Sequence, residues 1–572
     1  MLRALTHLSP LRARQMRALK LIFAALLLLS ALPAASVVSA QKSVVFGGSA
    51  QFLPAPVGVY LAINLAPDAA QMRNIQKLAD YYMQDPQVAS ALASFMTDAP
   101  SGMSPDELRD GFTSWAGGEA FFAVPRPEDL QALVGQGPST MSSRRRMMQA
   151  ATDAPILVGV AVRDRIALVR FLAQLRDVAT QSGGDSSVSV TLHNGAEVLG
   201  FSGSDGTAWV AMARGYLLLS PSQDRLYEAI DRDPADSLLG SASFQEAARS
   251  SAQSPLALLY LDSPSQIYAI PNPTTSLGAN ATTWIAATLR FGDEGLRLDT
   301  TSAMDPSQLT PTLRALASQP PNPLQAARLA PRDTAALLGV QNLALEWAAV
   351  REALQGSPDA ASALQNQLVS IETITALNVD DDVFGWMTGE TALFFSPGSE
   401  APVGIGTGLL IQARDPALAQ AKVDKIVDAL DLLGGPDIIL DTQDIGGVPF
   451  NRMRSESDGL SVYLGLVNGW VIVADDADVV AGIVGRTQGG DSGLAGDPGF
   501  TSTRAAMPAG LQSLMFVDVS RLTDMIVSAA EISDADIEDT RFFLAPIKRL
   551  GAGSASTPDR SRSTFLVQIQ VP

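Results

Sequence analysis

Apolar and polar positions along this chain follow two periods, and the two alternate. Leu53-Pro54 leads into VGVYLAINL and Ala330-Pro331 into DTAALLGVQNL, each reading as a β-strand that ends in Asn-Leu (Asn64-Leu65 and Asn342-Leu343). A stretch rich in Ala, Gln and Leu follows each, and its spacing predicts helices over about 73–98 and 344–370. Further matches keep the same order. Trp115 to Phe122 parallels Trp386 to Phe395 through a shared W-x-x-G-E and an aromatic strand. The run 155–175 parallels 406–426 as an apolar strand, Arg-Asp, then an amphipathic helix. The run 207–230 parallels 461–484 as a hairpin turned at Arg214-Gly215 or Asn468-Gly469, where glycine supplies the positive φ, followed by a helix. Finally Phe244–Asp262 parallels Phe500–Asp518. Matches in this order imply an internal duplication, with an extra segment near 133–154 in the first copy.

Pro306, Pro311, Pro320, Pro321 and Pro323 crowd a stretch without strand period and mark 304–328 as a linker. Before it, 284–301 alternates around Gly292–Gly295 and reads as a hairpin; the C-terminal FLVQIQVP strand is its counterpart. Such alternation marks antiparallel strands with one wetted face. The expected fold is therefore α+β: two tandem copies of a mixed α/β unit with mainly antiparallel sheets and flanking helices. The expected organisation is 1–40 signal peptide, 41–303 first repeat, 304–328 linker and 329–572 second repeat.

The N-terminus shapes the expected location. Arg3, Arg12, Arg14, Arg17 and Lys20 precede LIFAALLLLSALPAA, which gives way to SVVSA before Gln41. A basic region, a short apolar run and small residues at Val38 and Ala40 make up a secretory signal cleaved after Ala40. The competing reading is an uncleaved anchor, but the run is short against the ~20 residues a spanning helix needs. No later segment is apolar enough to span. The chain carries a net charge of −19, and losing residues 1–40 removes bases and no acid. That surface repels phosphates, so nucleic acid is an unfavourable partner. With no cysteine, lipid attachment, disulfides and thiolate metal sites are excluded, and stability rests on burial.

Few residues carry recognisable chemistry. His193 sits in TLHNGAE, where it reads as a solvated turn side chain without a counterpart in the second half. No G-x-S-x-G elbow exists for a serine triad, and no Walker A sequence is present. Gly404-Ile405-Gly406-Thr407-Gly408 precedes a strand instead of opening a helix, so it reads as a loop and not a phosphate cradle. Asp380-Asp381-Asp382 and the group Asp534, Asp536, Glu538 and Asp539 are candidate hard-cation ligands, weighed against helix starts with acids at the positive end of the dipole. Glu119 and Glu390 are candidate paired carboxylates, with Trp115 and Trp386 as stacking platforms. The competing reading has each tryptophan plugging a core while the glycine permits a tight turn. Arg144-Arg145-Arg146 reads as a solvated or docking loop, and Asn280-Ala281-Thr282 matches the N-glycosylation pattern.

The repeated residues resemble a family. An L-P-x-D-T-like strand, Asn-Leu, a long helix and D-D-x-F-x-W-x-x-G-E resemble the bacterial exported proteins of domain-of-unknown-function family 3352. Ala330-Pro331-Arg332-Asp333-Thr334, Asp381-Asp382-Val383-Phe384 and Trp386 through Glu390 carry the resemblance. The first copy departs from it, with Pro54-Ala55-Pro56 and with Gly111-Phe112 lacking paired aspartates. The resemblance implies an envelope location and no assigned activity, and supplies no catalytic residues.

With 17% charged residues, one histidine beyond residue 40 and no catalytic motif, the chain reads as an exported, non-enzymatic envelope binding or scaffold protein. Its expected partner is an envelope protein or an apolar or small ligand; apolar strands and 16 methionines would suit the latter. No catalytic, cofactor or metal residue is assigned, and the pattern specifies no oligomeric state. The alternative is a carboxylate-based or cation-dependent hydrolase using Glu119, Glu390 or the Asp380–Asp382 loop.

Overall fold

A computed structural model of the chain describes residues 47–86, 88, 90, 105–129, 155–181, 187–203, 206–250, 254–262, 264, 280–355, 358–399, 401, 404–434, 438–455, 459–529 and 534–571. The expected signal peptide and the extra segment near 133–154, with its Arg144–Arg146 loop, lie outside them. The fold mixes helices with antiparallel strands. It divides into two compact units, the first reaching Asp262 and adding Trp284–Glu294, the second holding Gly295–Gln570.

The first unit contains β1 (Val59–Asn64), β2 (Ala116–Val124), β3 (Leu157–Val162), β4 (Ser187–His193), β5 (Ala196–Gly203), β6 (Gly206–Ala213), β7 (Tyr216–Ser220), β8 (Ala257–Asp262) and β9 (Thr282–Gly292). Their pairing gives the order β9-β8-β1-β2-β3-β7-β6-β5-β4, antiparallel throughout. The second unit contains β10 (Gly295–Met304), β11 (Ala336–Gln341), β12 (Glu390–Pro397), β13 (Ile405–Gln412), β14 (Ile438–Ile445), β15 (Val448–Ser455), β16 (Ser461–Val467), β17 (Trp470–Ala474), β18 (Ser513–Asp518), β19 (Ile547–Thr557) and β20 (Arg560–Ile569). Its order is β10-β20-β19-β18-β11-β12-β13-β17-β16-β15-β14, again antiparallel. The run from β19 to β14 therefore follows the same connectivity as β9 to β4.

Local chemistry explains the elements. The expected hairpins turn at Arg214-Gly215 (φ 46 and 82) and Asn468-Gly469 (φ 48 and 80), the left-handed pair that matches strand twist. The helix Ala69–Tyr82 starts where the Asp68 side chain accepts from the Ala70 and Gln71 amides, and buries Gln71, Ile75, Leu78 and Tyr82 along one stripe. The single helix expected over 344–370 is two, Leu343–Leu354 and Pro358–Thr375, because Pro358 cannot continue the first and suits the start of the second.

Each unit packs one sheet face around aromatic side chains. Phe52, Tyr60, Phe121, Phe244 and Tyr260 are fully buried in the first unit, as are Phe394, Phe450, Phe500 and Phe516 in the second. Glycines opposite these rings make the room. Gly159 faces Phe121 and Gly408 faces Phe394 across the strands, and a Cβ at either glycine would run into the ring. The opposite faces hold smaller clusters, around Trp115 and Phe171 in one unit and Trp386, Val423 and Val471 in the other.

The proline-rich stretch 304–328 is folded. Thr310 caps a helix over Pro311–Ala317, and a short helix spans Ala326–Leu329. Leu324, Ala326, Ala327 and Leu329 are buried in the core of the second unit. The division between units falls earlier, at Gly295, because β10 pairs with β20 from Leu296↔Val567 to Ala303↔Arg560.

Candidate functional site

Glu119 begins the apolar part of β2, opposite Asn64 of β1, and is 3% exposed. Its carboxylate is enclosed by hydroxyls. Ser49 Oγ donates to Oε1, the Tyr60 hydroxyl lies 3.2 Å from Oε1 and 2.7 Å from Ser49 Oγ, and the Tyr216 hydroxyl donates to Oε2 at 2.9 Å. Burial, reinforced by the Glu119 charge, pushes the Tyr60 and Tyr216 hydroxyls well above the usual phenol range, so both stay protonated donors. Ser49 opens the short 3-10 helix Ser49–Phe52 that precedes the Leu53-Pro54 step, so the carboxylate pins that turn to the sheet.

Glu390 stands in the equivalent place in the second unit, opposite Gln341, and is 1% exposed. Here the donors are main-chain amides. Gln325 N lies 2.8 Å from Oε2 and Ala326 N 3.0 Å from Oε1, at the start of the Ala326–Leu329 helix that precedes Ala330-Pro331. Burial pushes the Glu390 carboxyl up, against the opposing pull of the two amides and of Arg504. Both W-x-x-G-E glutamates thus clamp a short helical turn inside their own unit.

The tryptophans are core residues, at 2% exposure for Trp115 and 5% for Trp386. Trp386 Nε1 donates to the Asp382 carbonyl at 3.1 Å. Trp115 Nε1 is buried without an acceptor; the carbonyl four residues back, that of Gly111, receives Ser114 Oγ at 2.7 Å.

The Asp380–Asp382 run winds as a π-helix over Val379–Phe384, and bases already answer its acids. Asp380 accepts from Trp347 Nε1 at 2.7 Å and pairs with Arg351. Asp382, 4% exposed, accepts from Lys422 Nζ at 2.6 Å, from Lys425 Nζ and from the Asn378 amide at 2.8 Å. Burial alone would raise its carboxyl, but the two lysines outweigh that and bring it down to about 2. Asp534 and Asp536 belong to the helix Asp534–Leu544, on which Glu538 and Asp539 are exposed. Among the described residues no group of three His, Asp or Glu side chains is arranged to hold a metal ion.

His193 is less solitary than its sequence context implied. Its ring stacks on Tyr227 with centroids 3.8 Å apart, and Nε2 lies 2.8 Å from Asp231 Oδ2. Both partners come from the helix Gln223–Asp231, more than thirty residues along the chain, which local sequence could not reveal. The expected glycine loop is confined to Gly404 (φ 70); Ile405 onward is strand β13. Asn280 is exposed in the turn before β9. No helix among the described residues is long and apolar enough to cross a membrane.

Comparison with known proteins adds little chemistry. No curated protein matches the chain. Two crystal forms of TP0453, forms I and III, are similar at 9% and 10% identity over 49% of this chain and 85% and 86% of theirs, each with a TM-score of 0.24. The profile of the family described as "Protein of unknown function (DUF3352)" matches residues 21–438, most of the sequence, and the chain belongs to that family.

Proposed function

We propose that the chain is a binding or scaffold protein of the cell envelope that catalyses no reaction on an outside substrate, exported by its N-terminal segment and built from two tandem copies of one α+β unit. The observation that carries this reading is the enclosure of Glu119 and Glu390. Each is buried in its own unit and engaged with its own helical turn, so neither carboxylate faces a substrate from outside. Asp380 and Asp382 are likewise neutralised by Arg351, Lys422 and Lys425. The two-copy reading is supported by the shared strand order and by the paired W-x-x-G-E clamps. Export is supported by the basic-apolar-small pattern of residues 1–40. An apolar partner is favoured by Val188, Val190 and Leu192, at 45%, 60% and 79% exposure on one face of edge strand β4.

Fractionation of cells producing the full chain tests the location: recovery outside the cytoplasm is expected, and a cytoplasmic pool retaining residues 1–40 overturns the export reading. Thermal unfolding of the purified chain with millimolar calcium, magnesium or EDTA tests the rest. A micromolar cation site would stabilise by about 4 kcal/mol. An unmoved transition is expected, and a calcium-dependent rise would restore the cation-dependent hydrolase.

A further inference from the structure

The Gly48–Ser49 step carries polar chemistry that its counterpart in the second unit lacks. Counted back from Pro54 and Pro331, Ala326 corresponds to Ser49 and Gln325 to Gly48; by strand register Leu337 takes the place of Tyr60 and Trp470 that of Tyr216. A clamp on a helical turn therefore needs neither the serine nor the two phenols. In the first unit these groups converge on one peptide bond. Ser49 Oγ, covalently held beside the Gly48 carbonyl carbon, donates its proton to Glu119. The Gly48 carbonyl oxygen accepts from Gln51 Nε2 at 2.6 Å. A side chain at position 48 would run into the Tyr216 hydroxyl, which fills the space beside the Gly48 α-carbon and admits only glycine there.

We propose that the Gly48–Ser49 peptide bond is a self-cleavage site. Ser49 Oγ attacks the Gly48 carbonyl carbon as Glu119 takes the hydroxyl proton. Negative charge develops on the Gly48 oxygen, where the Gln51 amide already points. Collapse breaks the carbon–nitrogen bond, and Glu119 returns the proton to the Ser49 nitrogen. An ester then joins the Gly48 carbonyl to Ser49 Oγ, and Ser49 carries a free amine. Water hydrolyses the ester, its hydroxyl going to the Gly48 carbon and its hydrogen to Ser49 Oγ. One water is consumed and nothing is oxidised. Tyr60 and Tyr216 hold Glu119 and act as positioning residues. The outcome is release of everything before Ser49, whatever the rest of the chain binds.

The test uses the full 572-residue chain with a C-terminal tag, produced in an exporting bacterium, its N-terminus read by intact mass and sequencing before and after neutral hydroxylamine, which opens esters. The expected result is a species beginning at Ser49 whose fraction rises severalfold in hydroxylamine. S49A should give no such species, Q51A should form it about a hundredfold more slowly, and S49C should form it through a thiol-sensitive thioester. The mass of S49C reports cleavage independently should S49A fold poorly. A folded wild-type chain that begins upstream of Ser49 and ignores hydroxylamine overturns the proposal. So does an S49A chain that also begins at residue 49, because ordinary trimming would then explain the end.

Discussion

The Tyr216 hydroxyl donates to Glu119 Oε2 at 2.9 Å, joining the first residue of β7 to the carboxylate of β2 inside a core that also holds Phe52, Tyr60, Phe121, Phe244 and Tyr260. A buried carboxylate tolerates this position only while its lone pairs are occupied. Tyr216→Phe keeps the ring and removes that donor. It should destabilise the chain by about 1–3 kcal/mol, read as a lowered midpoint in urea with an unchanged slope.

Glu390 responds to pH in a defined direction. Burial raises its carboxyl above the ordinary 4.5, so the fold favours the protonated acid. The associated stability is fully present below 4.5 and is lost as pH rises through the raised value. Glu390→Gln removes this titration, and the stability of the wild type relative to the variant in urea should fall as pH rises above 4.5. Glu390→Ala behaves differently. It leaves the Gln325 and Ala326 amides buried without an acceptor and should cost about 2–4 kcal/mol across that range.

Asp382 has the opposite sign. Its carboxyl is held at about 2 against an ordinary 3.8, so its contribution is present above 3.8 and lost as pH falls toward 2. Asp382→Asn should cost about 2 kcal/mol near neutrality. The gap from wild type should narrow in acid unfolding curves as pH drops below 3.8.

Gly408 lies under the Phe394 ring. Gly408→Ala forces the ring aside and should cost about 1–3 kcal/mol, seen as a lower thermal midpoint. Gly159→Ala should do the same beneath Phe121.

His193 and Asp231 are both partly exposed at the surface, with side chains 27% and 48% accessible. His193→Ala should change stability by less than about 1 kcal/mol. A larger loss on denaturant unfolding would mean that the Tyr227 stack anchors the hairpin.

Much of this architecture was legible because periodicity and turn chemistry are local. The Asn-Gly and Arg-Gly hairpins fold as their glycines require, and the W-x-x-G-E repeats occupy equivalent sheet positions. Register was less legible. Asn64 and Asn342 match in sequence, but the residue opposite Glu390 is Gln341, and Asn342 sits one step on at φ 60, capping the next helix. The aromatic pair likewise shifts by two residues relative to the glutamate, Phe121 in one unit and Phe394 in the other, and its glycine partner shifts with it. Prolines at 306–323 resembled a linker because proline density signals broken structure. The signal that could have corrected this was Leu324, Ala326, Ala327 and Leu329, an apolar spacing too short to read as a helix alone. The partners of Glu119 and His193 were invisible because each lies dozens of residues away in sequence.

The pairing of β10 with β20 joins the first and last strands of the second unit, with Asp299 and Thr564 in contact across 265 positions of sequence. A chain made from its N-terminus must hold β10 without this neighbour until the final strand emerges, whereas the strand pairings within the first unit are complete by Gly292. Assembly is therefore asymmetric in time. Loss of even the last dozen residues would strip β10 and β19 of the same neighbour, exposing two unpaired strand edges that invite aggregation.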